Sequence, residues 1–331
     1  MANPIDRNRE HPAATVQVLF VMGKGRSGST LLDNVLGQVP GLFSTGELLH
    51  IWDWALGKGV LCGCGEDVLD CPVWSTVLGK GFGIRSREHD AARIEAISRD
   101  YRTVARYHQV PRLFTRRRSG RWPALRRYAT ATAELYRTIA EVTGAQVVVD
   151  SSKSPLNAAA LGLIDGIDGA VVHLVRDPRA VGYSWARTKS WTDRTERGEM
   201  PRFGPLHTSA SWTVRNLGAE LVVRRWPPSR TTRLRYEDFV RNPRPNIERL
   251  LELVDMPHDD LPFRDARTVS LGPTHTVGGN PGRMSTGDVL IQTDDAWRTQ
   301  QSVPSGWLIS ALTWPLRQRY GYAVSEIGAR G

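Results

Sequence analysis

The sequence predicts an α/β fold, with a central parallel sheet of four or five strands and helices on both faces. Three observations carry that prediction. Strand-like apolar runs recur at Val16–Met22, Gln146–Asp150, Ala170–Val175 and Thr231–Arg235, each followed by a helix signal. The runs are short and unbroken, as in Val147-Val148-Val149, which suits strands buried on both sides. Residues suited to binding anions cluster just after three of these runs, at the carboxyl ends where open α/β sheets hold ligands.

Along the chain, residues 1–15 are polar and charged at the start and read as a disordered tail, and 16–331 read as one domain. The first run ends at Gly23, a loop with three glycines follows, and Ser29-Thr30-Leu31-Leu32 starts a helix. Residues 80–145 read as a helical insertion, with helical patterns over Glu88–His108 and Ala124–Val142 separated by Val110–Gly120. Ser154-Pro155 and Asp177-Pro178 each place a capping residue before a proline at the first helical position. Further helices are expected over Thr208–Arg225 and Ile247–Val254, a flexible loop over Trp191–His207, and irregular chain from Leu261 to Thr293.

The Gly23–Thr30 loop is the most informative segment. Glycines let backbone N–H groups approach oxygen closely, and the helix N-terminus adds partial positive charge, so strand, loop and helix together form an anion cradle. Gly23, Gly28 and Thr30 match the spacing of a nucleotide triphosphatase P-loop, but Ser29 stands where that motif has lysine. The cations lie inside the loop instead, at Lys24 and Arg26. Such a P-loop-like cradle suits a less charged group held by fixed cations without a metal.

These residues resemble a known family. Gly23-Lys-Gly-Arg-Ser-Gly-Ser-Thr30 is similar to the 5′-phosphosulfate loop of sulfotransferases that use 3′-phosphoadenosine 5′-phosphosulfate (PAPS). Val171–Trp185, with Arg176-Asp177-Pro178 and Ser184, resembles their 3′-phosphate segment. Asp150–Pro155, Arg235–Phe239 and His275–Arg283 extend the likeness to nearly the whole chain, closest in pattern to bacterial and tyrosylprotein-type enzymes. The resemblance implies transfer of a sulfuryl group from PAPS to a hydroxyl, less readily an amine, by metal-free in-line displacement. It implies that Gly23, Lys24, Gly25, Arg26, Ser27, Gly28, Ser29 and Thr30 hold the 5′ end of the donor, and that Arg176 and Ser184 grip the 3′-phosphate. Tyr236 is expected to line the cleft, with Asn280 and Arg283 closing over the nucleotide. Lys24, Arg26 and Lys153 would stabilise charge on the bridging oxygen. Glu47 is the implied base, its carboxyl pKa raised by apolar neighbours, and His50, one turn away, is the rival. His173, in mid-strand, reads as a core histidine.

Charge is uneven. The chain carries a net +10, and the span from Arg85 to Arg137 holds 14 arginines, no lysine and five acids, nearly the whole excess. It reads either as a basic cap attracting an acidic acceptor or as a solvated arginine-rich face. Trp122 and Tyr128 are candidates for contacting an acceptor there. An unidentified small molecule, glycan or acidic peptide is the expected partner, and nucleic acid is not expected because no recognised module accompanies the charge. Cys62, Cys64 and Cys71 are odd in number, which argues against a disulfide framework; a zinc site is conceivable, but with no obvious fourth ligand they read as partly buried thiols in a turn-rich loop and no metal is expected. No signal-peptide core or membrane-length apolar run occurs, so a cytoplasmic protein is expected. The rival functional classes are a P-loop phosphotransferase and a non-catalytic polyanion-binding protein.

Overall fold

The computed structural model describes residues 15–106, 109, 113, 122–191 and 198–322. The expected tail, apart from residue 15, and most of the 110–120 linker lie outside these. Five strands form one parallel sheet: β1 (Val16–Gly23), β2 (Leu42–Ser44), β3 (Val147–Lys153), β4 (Ile167–Val175) and β5 (Thr231–Arg235), in the order β2-β3-β1-β4-β5. Strand β2, only three residues long, carries too little pattern to be identified as a strand from sequence. The other four fall where the apolar runs predict them.

Central β1 shows why those runs do not alternate. Val18, Phe20 and Met22 enter the core on one face, while Leu19 and Val21 enter the core on the other. Both faces are dry, so every position is apolar. The expected caps form: the Ser154 side chain accepts from Asn157 N–H, and that of Asp177 accepts from Arg179 N–H at 2.9 Å. These caps start the Pro155–Leu161 and Pro178–Ala186 helices immediately after β3 and β4.

Helices Ala91–Val104 and Pro123–Thr143 form in the expected basic insertion. Tyr101, Leu125, Tyr128, Leu135, Tyr136 and Ile139 bury against the same face of the sheet as Phe20. Several arginines here meet acids: Arg87 with Asp67, Arg102 with Asp53, and Arg127 with Asp100. Trp122 and Tyr128 are both buried, and the Tyr128 hydroxyl accepts from Asn157 at 2.9 Å. They are core residues rather than acceptor contacts. The 261–293 stretch holds more structure than expected, since Thr268–Leu271 and Gly287–Leu290 pair as an antiparallel ribbon. Among the described residues, no helix is long and apolar enough to cross a membrane.

Candidate active site

A cavity of about 1320 Å³ opens at the carboxyl ends of β1, β3 and β4. Lys24, Arg26, Gly28, Ser29, Thr30, Glu47, His50, Lys153, Arg176, Ser184, Tyr236 and Asn280 all line it. Three motifs, the first more than a hundred residues before the other two, thus converge because parallel strands deliver their ends to one edge.

The cradle is shaped by Gly28. It caps the Ser29–Leu36 helix with φ +89°, and an added Cβ would lie 2.2 Å from the Tyr236 ring. Only glycine fits both the left-handed backbone and the ring. Gly28 has no side chain to cap the first turn, so those N–H groups face the cradle. Ser27 Oγ is buried with no hydrogen-bond partner among the described residues, and the same holds for Arg176 Nε. Burying unpartnered polar atoms is costly, and Arg176 lines the cavity, where a bound anion would offset that cost.

The cations are held in place. Lys24 and Arg26 each lie 4.9 Å from the Trp185 ring centroid, and Trp185 Nε1 donates to the Gly25 carbonyl at 3.2 Å. Arg26 and Lys153 both adopt left-handed backbone, φ 73° and 63°. That conformation is unfavourable for non-glycine residues and turns both side chains toward the cavity. Arg176 packs over Tyr236 at 4.3 Å and donates to Asp294 Oδ2 at 3.0 Å.

Lys153 Nζ contacts Glu47 Oε1 directly, and His50 Nε2 lies 3.5 Å from Glu47 Oε2. Burial is the strongest influence on the Glu47 carboxyl and pushes its pKa up, but Lys153, His50 and Arg215 together outweigh it. The net shift is downward. The expected raised pKa is therefore corrected: the apolar neighbours are present, and so are cations that sequence distance concealed. The His50 ring, stacked on Trp54 at 3.7 Å, also has a lowered pKa, chiefly through burial. His173 is fully buried in β4 and bonded to Asn216, and burial lowers its pKa to about 4. It is the core histidine the sequence suggests.

Arg283 is a second correction. Its guanidinium donates to the carbonyls of Thr276, at 2.9 Å, and Leu61, at 2.6 Å, and it does not line the cavity. Asn280 does line it, while also capping the Pro281–Met284 turn. Sequence reasoning missed Lys58, Lys189 and Arg215, which also line the cavity. A signal existed: the chain has five lysines, and four of them face this cavity.

A profile described as the sulfotransferase family matches residues 83–260, more than half of the sequence. The chain belongs to the sulfotransferase family. The match contains Lys153, Arg176, Ser184 and Tyr236 and leaves out the Gly23–Thr30 loop, which the fold brings to the same cavity. Two solved structures share the sulfotransferase fold. One is the sulfotransferase domain from the Synechococcus PCC 7002 olefin synthase, with 19% identity and TM-score 0.53, covering 94% of this chain and 96% of that one. The other is the sulfotransferase domain from the curacin biosynthetic pathway, with 16% identity and TM-score 0.52, covering 94% and 99%. At such identities the likeness is one of fold. A search of curated proteins gives no match.

The Lys24 ammonium in this sulfotransferase is lowered from 10.5 to about 8, first by burial and then by Arg215, Lys153 and Arg26. A bound anion favours the charged form and raises that pKa again, so binding above pH 8 takes up a proton. Affinity for adenosine 3′,5′-bisphosphate is expected to be flat below about pH 8 and to fall above it, by up to about tenfold per pH unit. Calorimetry at pH 7, 8 and 9 in two buffers of different ionisation heat measures both effects. An affinity unchanged to pH 9 would contradict a role for Lys24 in holding the anion.

Proposed function

We propose that this sulfotransferase moves the sulfuryl group of PAPS to an acceptor hydroxyl by in-line displacement, with protein cations in place of a metal at the reacting atoms. The observation carrying this reading is the meeting of Lys153 with Glu47 in the cavity that Lys24 and Arg26 also line. In the proposed cycle, PAPS enters with its 5′-phosphosulfate on the Gly23–Thr30 loop and its 3′-phosphate on Arg176 and Ser184. Lys153 exchanges its contact with Glu47 for the sulfuryl or bridging oxygens. Glu47 loses its nearest cation while staying buried, so its proton affinity rises and it can take the acceptor's proton. The acceptor oxygen attacks sulfur as the bond to the bridging oxygen breaks. Lys24, Arg26 and Lys153 stabilise the charge that builds there, and adenosine 3′,5′-bisphosphate leaves.

The acceptor side of the cavity includes Trp54, Trp191, Phe203, Val214, Leu217 and Leu221, with Arg215 among them. Val214, Leu217 and Leu221 are exposed apolar residues. This favours an acceptor with an apolar or aromatic body over a highly acidic one. Among the described residues of the 80–145 insertion, Ala105 alone lines the cavity.

The test is incubation with ³⁵S-labelled PAPS and an extract of the host, without added magnesium, followed by identification of the labelled product. No transfer, together with tight binding of magnesium–ATP in place of adenosine 3′,5′-bisphosphate, would favour the phosphotransferase class. Arg176→Ala is expected to weaken adenosine 3′,5′-bisphosphate by roughly 10–100-fold, the range for losing hydrogen bonds to a charged group, and to spare adenosine 5′-phosphosulfate. Equal loss for both ligands would remove Arg176 from the 3′-phosphate.

A further inference from the structure

We propose that Cys62, Cys64, Cys71 and His275 form a structural zinc site that clasps the cysteine loop to the segment supporting Glu47. The four candidate ligand atoms lie within 4.8 Å of one another. Cys71 Sγ is 3.2 Å and Cys62 Sγ 3.8 Å from His275 Nδ1. A tetrahedral zinc with usual bond lengths sets its ligand atoms about 3.5–3.8 Å apart, so an ion fits with only small adjustments. The sequence places three thiols within ten residues, but their fourth partner lies some two hundred residues further on, which is why no fourth ligand is evident from the sequence.

The site is built by the backbone before any ion arrives. Cys62 N–H donates to the Glu66 carbonyl at 2.7 Å and Gly65 N–H to the Cys62 carbonyl at 2.9 Å, closing a tight turn around Cys64. Cys71 stands at the N-cap position of the Pro72–Phe82 helix without a side-chain capping hydrogen bond, and its sulfur meets His275 instead. Trp74 Nε1 donates to the His275 carbonyl at 2.6 Å, fixing the histidine from the opposite side. Cys62 bridges Val277, and Gly63 N–H donates to the Thr276 carbonyl at 2.9 Å. A Cβ at Gly63 would lie 2.5–2.7 Å from atoms of Thr274 and Thr276, so only glycine between the first two cysteines lets the segments dock this closely.

Three thiolates and one imidazole form a soft, closed donor set with no position left for substrate, as in structural rather than catalytic zinc sites. Binding converts the thiols to thiolates and releases their protons to solvent. A Cys62–Cys71 disulfide is the competing chemistry, and it would leave Cys64 and His275 without a shared role.

The clasp bears on the active site through the backbone. Val277 N–H donates to the Thr45 carbonyl and Glu47 N–H to the Val277 carbonyl, both at 2.7 Å. An added Cβ on Gly279 would lie 3.2 Å from Glu47 Oε1. Holding His275 therefore holds the strip against which Glu47 is positioned. The proposal does not depend on the transfer reaction, and its test measures metal directly.

The full chain, with any affinity tag removed, is expected to carry roughly one zinc, released in step with titration of its thiols by a mercurial. Cobalt(II) in its place should give intense d–d bands of a tetrahedral site and thiolate charge transfer. X-ray absorption of the zinc form should report three sulfurs at about 2.3 Å and one nitrogen at about 2.0 Å. Cys64→Ser, Cys71→Ser and His275→Ala should lose the metal and lower the thermal midpoint by roughly 5–10 °C. His275→Cys should keep both metal and midpoint, which separates ligation from packing. If the serine variants fail to fold, the cobalt spectrum and absorption edge of the unmodified chain still decide. A metal-free chain that gives no tetrahedral cobalt spectrum, a Cys62–Cys71 disulfide found by mass spectrometry, or zinc bound through other ligands would each overturn the proposal.

Discussion

Replacing Glu47 with Gln is expected to lower sulfuryl transfer by roughly 10²–10⁴-fold, the contribution of a positioned general base. Affinity for adenosine 3′,5′-bisphosphate should hold or tighten. The carboxylate is 13% exposed, touches Lys153 and stands 3.5 Å from His50. Glutamine keeps the size and the hydrogen-bonding oxygen but cannot take a proton. It also leaves Lys153 unneutralised, which can only help an anionic donor. Single-turnover transfer from labelled PAPS, with calorimetry on the product nucleotide, separates the two effects. Weakened nucleotide binding with intact turnover would make Glu47 structural. His50→Gln distinguishes the rival: if that variant is dead and Glu47→Gln is not, the imidazole is the base. The free enzyme's lowered Glu47 pKa does not count against the role, because its largest lowering influence is Lys153, the cation that the donor is proposed to draw away.

What was legible in the sequence follows from how local each signal is. Strands β1, β3, β4 and β5 announce themselves because residues buried on both faces must all be apolar, and the caps before Pro155 and Pro178 are written in adjacent residues. The cradle is legible because Gly23, Gly25 and Gly28 are needed by one contiguous loop. Three-residue β2 offers no pattern, and its register with Val147–Val149 is set by packing. The Glu47 pKa could not be read, since Lys153 and Arg215 reach it from other elements. The family resemblance puts Arg283 over the nucleotide, yet its guanidinium donates to the carbonyls of Thr276 and Leu61, a use that the motif does not distinguish. Trp122 and Tyr128 misled in the same way, because an aromatic residue in a basic segment reads alike whether it faces solvent or core. Lysine scarcity was the underused clue. In a chain whose cations are mostly arginine, lysine at Lys24, Lys58, Lys153 and Lys189 marks one cavity.

Arg26→Ala is expected to cost roughly 10²–10³ in turnover, the usual loss when one donor to developing charge is removed. Among the described residues the guanidinium makes no ion pair, and it lies against the Trp185 ring and 3.1 Å from the Met200 sulfur, a weak acceptor. Burial lowers its pKa while Glu47 raises it, and an arginine keeps its charge throughout. Loss of turnover in the alanine variant could still be blamed on a disturbed loop. The backbone supplies the control. Arg26 holds φ 73°, a conformation that costs a non-glycine residue about 1–2 kcal/mol and glycine almost nothing. Arg26→Gly should therefore unfold no earlier than the parent chain and yet lose the same turnover as Arg26→Ala. Its Gly28–Tyr236 contact and the Arg176 bond to the residue-26 carbonyl, 3.3 Å in the parent, need no side chain at position 26. If the glycine variant transfers sulfate at the parent rate, the charge on Arg26 does not act on the reaction. A polyanion-binding protein would instead keep its heparin affinity in both variants and show no turnover in any of the three.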